Sequence, residues 1–484
     1  MRRLSSRDRD FFDKVKRAAY ANPFGDERAQ LDAAIAESRA DDPQVLERLS
    51  EQLSRRIEAL SRESPLRARD FDEADAELVR AALLFHAFHR FLDPFERFIE
   101  REERAEQPEK LGFAEELFGL LLHHGIEGLE AVRMLELFYQ LRRAHLFIAR
   151  RLIGRGPSMQ RVREELWNAV FTRDIRRYER HLWNRMEDFS TLILGETGTG
   201  KGEAASAIGR SGYIAYDTKK RSFMHPLSQS FLPLHLSEHP ESLIESELFG
   251  HRKGAFTGAI EQHLGILSRV RPFGAVFLDE IGEVSPPVQV KLLRVLQERR
   301  FTPVGGHEPE RFHGRVLAAT HRSLDTLRKD GSMREDFFYR LCASTIQIPP
   351  LRVRLREDPG ELRDLVAHLC TRIVGEEAKA LEQEIAERIA GDLGPGHPFR
   401  GNVRELEQCV RRVLLTGSAT PSEGTFDPAP TAPPSALLAR DEPTAEVLVQ
   451  RYCAMLYARS RNYVEVARVT GLDRRTVKKH VEAV

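Results

Sequence analysis

The stretch Thr191–Lys201, TLILGETGTGK, decides how the rest of the chain is read. Four β-prone residues run into a glycine-rich turn, and the helical segment EAASAIGR follows from Glu203. Strand, glycine-rich loop and helix, in that order, is the context a phosphate-binding loop requires. Glycines let backbone N–H groups converge on phosphate oxygens, and a lysine adds a point charge at the β- and γ-phosphates. The candidate nucleotide-binding residues are therefore Gly195, Glu196, Thr197, Gly198, Thr199, Gly200, Lys201 and Gly202. Gly202 stands where a serine or threonine ordinarily reaches Mg²⁺.

AVFLDE, residues 275–280, supplies the second half of such a site. Four apolar residues predict a buried strand, with Asp279 and Glu280 emerging at its end. Asp279 is placed to hold Mg²⁺ through its water shell, and Glu280 to orient the water that attacks the γ-phosphate of ATP. FLPLHL (231–236) and RVLAAT (315–320) are further short β-prone runs, separated by helical segments. That alternation predicts an α/β core with a mostly parallel sheet covered by helices. From about residue 350 to 415 helices return without strands.

Length bounds the organisation: 484 residues imply roughly three or four domains. Hydrophobic content of 41% and charged content of 31% place the chain among globular proteins. Lys and Arg equal Asp and Glu at 74 each, so any nucleic-acid contact must come from a local basic patch. No stretch approaches the roughly 18 consecutive apolar residues of a membrane span, and the opening MRRLSSRDRDFFDKVKR lacks the apolar region of a secretory signal. Without such a span no membrane association is expected, and Cys342, Cys370, Cys409 and Cys453, far apart with no CxxC pair, fit a reducing cytoplasm. Residues 1–150 read as almost entirely helical, with apolar residues such as Leu78, Ala82, Phe85 and Leu92 at three- and four-residue intervals. His86, His89, His123 and His124 sit among many phenylalanines there, a pattern of packing more than of metal ligation.

Residues 416–445 are dense in Pro, Ala, Thr and Ser and read as a flexible linker. Beyond it, NYVEVARVTGLDRRTVKKHVEAV reads as a helix-turn-helix: Val464, Val466, Ala467 and Val469 form an apolar face, Gly471 the turn, and Asp473 a cap. Arg474, Arg475, Thr476, Lys478 and Lys479 are then available to a DNA major groove and its phosphates. One stretch fits none of these parts. GHRKGAFTGA, residues 250–259, places the single large apolar side chain of Phe256 among small, flexible residues, as a surface contact loop would.

With these pieces in place the sequence resembles the sigma-54-dependent transcriptional activators of the AAA+ class. ESELFGHRKGAFTGA, FLDEIGEV, LLRVLQERRFTPVGG, MREDFFYRL and GNVREL occur in that family's order, from about residue 152 to about 415. The resemblance implies a multidomain chain: a helical regulatory domain over 1–150, an AAA+ α/β ATPase subdomain over 151–348, a helical lid over 349–415, the linker over 416–445, and a helix-turn-helix over 446–484. It implies that Gly254, Ala255, Phe256, Thr257, Gly258 and Ala259 form the loop that touches sigma-54. Thr320 would sense the γ-phosphate, Arg404 would contact nucleotide from the lid, and Arg334 and Arg340 would reach a neighbouring subunit's site. A ring follows, taken as a hexamer with dimers as the resting form. The implied partners are sigma-54 RNA polymerase holoenzyme and upstream activator DNA, and the implied cofactors ATP and Mg²⁺.

The sequence departs from the family in places. His235 falls where the family places an asparagine that holds the catalytic glutamate, His321 follows Thr320 in place of another asparagine, and Phe399 and Arg400 replace a tryptophan and a proline. Two stretches look inserted, FTRDIRRYERHLWNRMED and YDTKKRSFMHPLSQS, and both read as solvated surface segments. The function implied is ATP-dependent opening of sigma-54 promoters. The alternatives are an AAA+ factor remodelling another protein, and a DNA-binding regulator with weakened ATPase.

Overall fold

The computed structural model describes residues 2–420 apart from 330, 376–378, 380 and 395, and residues 445–482 apart from 461. The chain folds as two units, 1–420 and 421–484. Most of the stretch read as a linker, 421–444, lies outside the described residues.

At the centre of the first unit is a five-stranded, all-parallel sheet. Its strands are β1 (Thr191–Leu194), β2 (Phe231–His235), β3 (Ala275–Asp279), β4 (Arg315–Thr320) and β5 (Ser344–Gln347), in the order β2-β3-β4-β1-β5. All residues of β1 and β4 are buried, the signature of strands covered by helices on both faces. The edge strand β5 was not legible: its sequence STIQ buries only Ile346. Because every strand runs the same way, the segments that follow β1, β2, β3 and β4 all leave from one edge of the sheet.

The lid consists of the helices Glu361–Val374, Glu382–Leu393 and Asn402–Thr416, packed around Leu365, Val366, Leu369, Leu406 and Val410. Arg354 and Glu361 form a buried pair beneath them, and Arg354 also donates to the Ile153 carbonyl at 2.7 Å. That bond ties the lid to the segment entering the sheet domain.

Among the described residues, seven α-helices span 6–151: Ser6–Tyr20, Asp26–Ala36, Val45–Leu60, Glu73–Arg90, Leu92–Glu102, Ala114–His123 and Gly128–Arg151; Pro157–Phe171 then leads toward the sheet. The first four enclose their own core around Phe12, Leu53, Val79 and Ala82. From Ala87 onward the core is continuous with that of the sheet, so Leu135, Tyr139 and Phe147 share one cluster with Phe277, Ala319 and Ile346. The two apparent insertions are part of this junction, contrary to their reading as solvated segments. Phe171, Ile175 and Tyr178 of the first are buried. The second folds into a short antiparallel hairpin, Tyr216–Asp217 against Ser222–Phe223, and Phe223 stacks on Tyr139 with ring centres 3.9 Å apart. Their basic residues hid an aromatic face that only the N-terminal helices complete.

The second unit holds the helices Ala445–Ser460, Tyr463–Thr470 and Arg474–Glu482 around Cys453, Val466 and Val477. Gly471 turns the chain at φ 71°. Val464 and Val469, read as part of the apolar face, are instead exposed by half or more, because helical spacing puts Val466 inward and those two outward. Among the described residues no helix is long and apolar enough to cross a membrane.

Candidate nucleotide site and surface loop

The phosphate loop leaves β1 through three glycines with positive φ: Gly195 at 158°, Gly198 at 79° and Gly200 at 101°. A side chain on Gly198 would strike the Gly401 carbonyl, so glycine is what lets the lid approach. The lid docks there through backbone: Val403 N–H donates to the Gly198 carbonyl at 3.0 Å. Asn402 Nδ2 reaches the Thr197 carbonyl at 3.0 Å and Glu196 Oε2 at 3.2 Å, while its Oδ1 accepts from the Leu351 N–H. Arg352 grips both Glu196 oxygens, at 2.6 and 2.8 Å, and that pairing first, then Asn402, holds the Glu196 carboxyl below its ordinary range. Sequence reading assigned Glu196 to nucleotide; its carboxylate instead clasps the lid. Arg352 belongs to no motif, and Asn402, although it stands in GNVREL, drew no role from the sequence because its phosphate-loop partners lie 206 and 205 residues upstream.

A cleft of about 710 Å³ opens above this loop. Thr197, Gly198, Thr199, Gly200, Lys201 and Gly202 form its floor, with Asp279, Glu280 and His235 on one side and Arg404 on the other. Ile153, Met159, Leu365 and Leu369 give it an apolar wall. Lys201 is buried and donates to the Gly195 carbonyl at 3.0 Å, and its Nζ lies 3.9 Å from Glu280 Oε1. The strand register accounts for the carboxylates. His235 and Asp279 are partners across β2 and β3, so their side chains meet, Nδ1 to Oδ2, at 3.3 Å. Glu280 is one residue further on, in the left-handed region at φ 56°, which turns it toward the end of β4. There His321 Nδ1 lies 2.7 Å from Glu280 Oε2. His235, expected on the catalytic glutamate, therefore stands on Asp279, and His321 is the histidine on the glutamate.

Other expected residues lie outside the cleft. Thr320 is fully buried and its hydroxyl accepts the Arg322 N–H at 3.2 Å. Arg334 stands just before the helix Glu335–Leu341 and pairs with Asp336 at 2.8 Å, and Arg340 donates to the Leu296 carbonyl at 3.3 Å. Neither arginine lines the cleft of its own subunit. A Cβ on Gly202 would meet only Phe277, at 4.0 Å, so the position has room for a hydroxyl side chain.

The Gly254–Ala259 segment is a braced hairpin. His251 and His263 exchange two backbone bonds of 3.0 Å at its base, and Gly254 N–H donates to the Ala259 carbonyl at 2.8 Å. Gly254 and Gly258 have φ of 80° and 103°. Phe256 stands at the turn, 40% exposed, its ring edge-on to His251 at 4.9 Å. Ala255 packs on Gly305, and Thr257 is exposed.

A nucleotide cleft at the carboxyl edge of a parallel sheet, a docked lid and this hairpin coincide with a family match. Residues 171–347 match the family described as the sigma-54 interaction domain. The central segment is a sigma-54 interaction domain. Its relatives extend beyond it. A 262-residue stretch is 39% identical to the DNA-binding transcriptional regulator NtrC of Azospirillum brasilense, covering 54% of this chain and 47% of that protein. Similarity to the Nif-specific regulatory protein of Azotobacter vinelandii is 40% over 264 residues, 54% of this chain and 44% of that one. The nitrogen fixation protein AnfA of the same organism is 33% identical over 369 residues, 74% and 62% of the two chains. The chain thus spans about half the length of the first two of these relatives. Within the sigma-54 interaction domain, Arg315 is a further buried feature. It donates to Phe189, Ala169 and Thr191, and burial lowers its pKa to about 10.

In the second unit Arg474, Arg475, Lys478 and Lys479 are exposed along one helix. Thr476 is engaged otherwise, since its hydroxyl donates to Asp473, whose carboxylate also accepts the Arg475 and Thr476 N–H groups.

Proposed function

We propose that this protein is a DNA-bound transcriptional activator that hydrolyses ATP to remodel sigma-54 RNA polymerase closed complexes until promoter DNA opens. One observation carries the reading: Lys201, Asp279 and Glu280 converge at one sheet edge within the unit that also presents Phe256 on an exposed hairpin. Backbone N–H groups of Thr197–Gly202 and the Lys201 ammonium bind the phosphates, and the apolar wall takes the base. The cleft offers hard oxygen donors beside the phosphate floor, which suits a largely hydrated Mg²⁺ held by Asp279. When bound, that ion neutralises charge on the transferring phosphoryl group. Glu280 orients the attacking water, with His321 fixing its carboxylate. Arg404 closes on the nucleotide from the lid.

Arg334 and Arg340 do not line their own cleft, which supports action on a neighbour's site within a ring, read as a hexamer assembled from resting dimers. Thr320 and His235 act as relays beneath and beside the carboxylates. The hairpin Gly254–Ala259 contacts sigma-54 through Phe256 and Thr257. The 446–484 segment is a helix-turn-helix that anchors the ring to upstream sites through Arg474, Arg475, Lys478 and Lys479, with Asp473 capping its second helix and holding Thr476. Residues 1–150 regulate the ATPase formed by 151–348 and the lid 349–415, and the protein acts in the cytoplasm.

The test uses the full chain, sigma-54 holoenzyme and a supercoiled sigma-54 promoter. ATP-dependent opening by the wild type is expected to vanish in both Phe256→Ala and Glu280→Gln, while Phe256→Ala still hydrolyses ATP. Hydrolysis without opening by the wild type would overturn the reading.

A further inference from the structure

Glu196 is the second residue of the phosphate loop, yet its side chain does not line the cleft. Protein groups take both of its oxygens: Arg352 donates to the two at 2.6 and 2.8 Å, and Asn402 Nδ2 adds a further bond to Oε2 at 3.2 Å. A guanidinium across both oxygens of a carboxylate is the strong, directional form of an ion pair. Arg352 lies in the short helix Leu351–Glu357 that follows β5, and Asn402 begins the last lid helix, Asn402–Thr416. One carboxylate thus joins three segments that are distant in the chain.

Asn402 is the centre of this joint. It is wholly buried; its amide nitrogen bonds the Thr197 carbonyl as well as Glu196, and its oxygen accepts from the Leu351 N–H at 2.8 Å. Its φ is 54°, and that of Phe399, three residues earlier, is 41°. Two residues with side chains in the left-handed region of one turn cost free energy, and such turns persist where their surroundings dictate them. Glu405 dictates this one: its Oε2 accepts the Gly401 N–H at 2.7 Å, and its Oε1 lies 2.7 Å from His397 Nε2. The turn is braced from the lid by Glu405 and from the phosphate loop by Glu196. Arg404 stands two residues beyond Asn402 and lines the cleft, so whatever fixes Asn402 also fixes Arg404 beside the phosphate floor.

The joint can open. Asn402 is buried, but Glu196 and Arg352 are partly exposed, so solvent and salt reach the ion pair and weaken it as ionic strength rises. Lid opening and product release, more often than chemistry, limit turnover in many enzymes.

We propose that Glu196, Arg352 and Asn402 form a latch that sets how fast nucleotide leaves the cleft. Resting on the nucleotide reading of that cleft, the latch makes Glu196 a positioning residue that acts through the lid and not on the nucleotide. The probe is ADP carrying a fluorescent methylanthraniloyl group, released from the full chain into excess unlabelled ADP and followed by stopped flow. Arg352→Met keeps the stem and loses the fork, and Glu196→Gln loses the charge; each should speed release about three- to tenfold and leave association within about twofold. Arg352→Lys keeps the charge without the fork and should fall between. The double variant, Glu196→Gln with Arg352→Met, should release no faster than the faster single one, because both substitutions cut one link. A general loosening of the fold would instead compound. The unaltered chain gives a second reading: raising KCl from about 50 to about 500 mM should speed its release more than that of either single variant. Release within about twofold of the unaltered chain in both single variants, rates that multiply in the double one, or equal salt dependence throughout overturns the latch and leaves the nucleotide reading in place. Failure of the unaltered chain to bind the labelled ADP overturns both.

Discussion

The guanidinium of Arg143 donates to the main-chain carbonyl of Gly212 across 2.6 Å, from a position with no exposed surface at all. Burial pushes its pKa down, and the Tyr139 ring beneath it, 4.3 Å away, offsets part of that cost. Arg143→Met keeps most of the apolar stem and removes the donors, stranding the Arg210 and Gly212 carbonyls. Each unsatisfied carbonyl costs about 1–3 kcal/mol, so the full chain should lose roughly 2–6 kcal/mol of stability. Urea unfolding would show it as a lower midpoint. A change below about 0.5 kcal/mol would mean that water replaces the donors.

His321 bonds Glu280 through its ring and its N–H, and among the described residues no hydrogen bond ties it to the phosphate floor. Under the hydrolysis reading, His321→Leu should lower kcat by roughly ten- to a hundredfold. Nucleotide Kd should stay within about twofold, because the phosphate loop is untouched. His321→Asn, which retains a donor, should recover most of the rate. Steady-state hydrolysis with a separate nucleotide-binding titration distinguishes a positioning role from a folding defect.

Gly202 lies in the first turn of a helix, with open space where a side chain would go. Gly202→Ser should stabilise the chain by a few tenths to about 1 kcal/mol through backbone entropy. It should also lower the Mg²⁺ concentration needed for half-maximal hydrolysis, since the new hydroxyl reaches the ion. A Mg²⁺ titration at saturating ATP measures this, and an unchanged midpoint would detach position 202 from the metal.

Burial lowers His86 and His145 to about 4 and His89 to about 3. In the unfolded chain such groups titrate near 6.5. As pH falls below that value the unfolded state takes up protons first, so these residues favour unfolding. Their effect is absent above about pH 7 and grows as pH falls toward the folded pKa values, by up to about 1.4 kcal/mol per pH unit for each histidine. Urea midpoints should therefore fall steeply between pH 6.5 and about 4.5. His89→Phe should flatten that slope by about a third.

The nucleotide cleft was legible because its parts are local. A glycine-rich turn after β1 and two carboxylates after β3 announce themselves within a few residues each, and a parallel sheet necessarily gathers its strand ends at one edge. The pairing of His235 with Asp279 was not legible, since it depends on register between strands 44 residues apart. Nor was the grip of Glu136, Gln140 and Arg143 on residues 210–216: polar residues on a helix read as solvent-facing unless their partners are known. The hairpin at Tyr216–Phe223 was hidden for the same reason, its aromatic side chains being matched by a helix far upstream.

The Gly128–Arg151 helix runs without a break to the rim of the cleft, where Arg150, Arg151 and Leu152 complete its wall. Cutting the chain at 150 would strip the backing from Ile208, Phe223 and the sheet, and remove part of the rim with it. A shortened chain thus lacks its keel, and under the hydrolysis reading a loss of activity in it would say little about the sign of regulation. Questions of control are better put to the intact molecule, by changing what sits against that helix and leaving the helix in place.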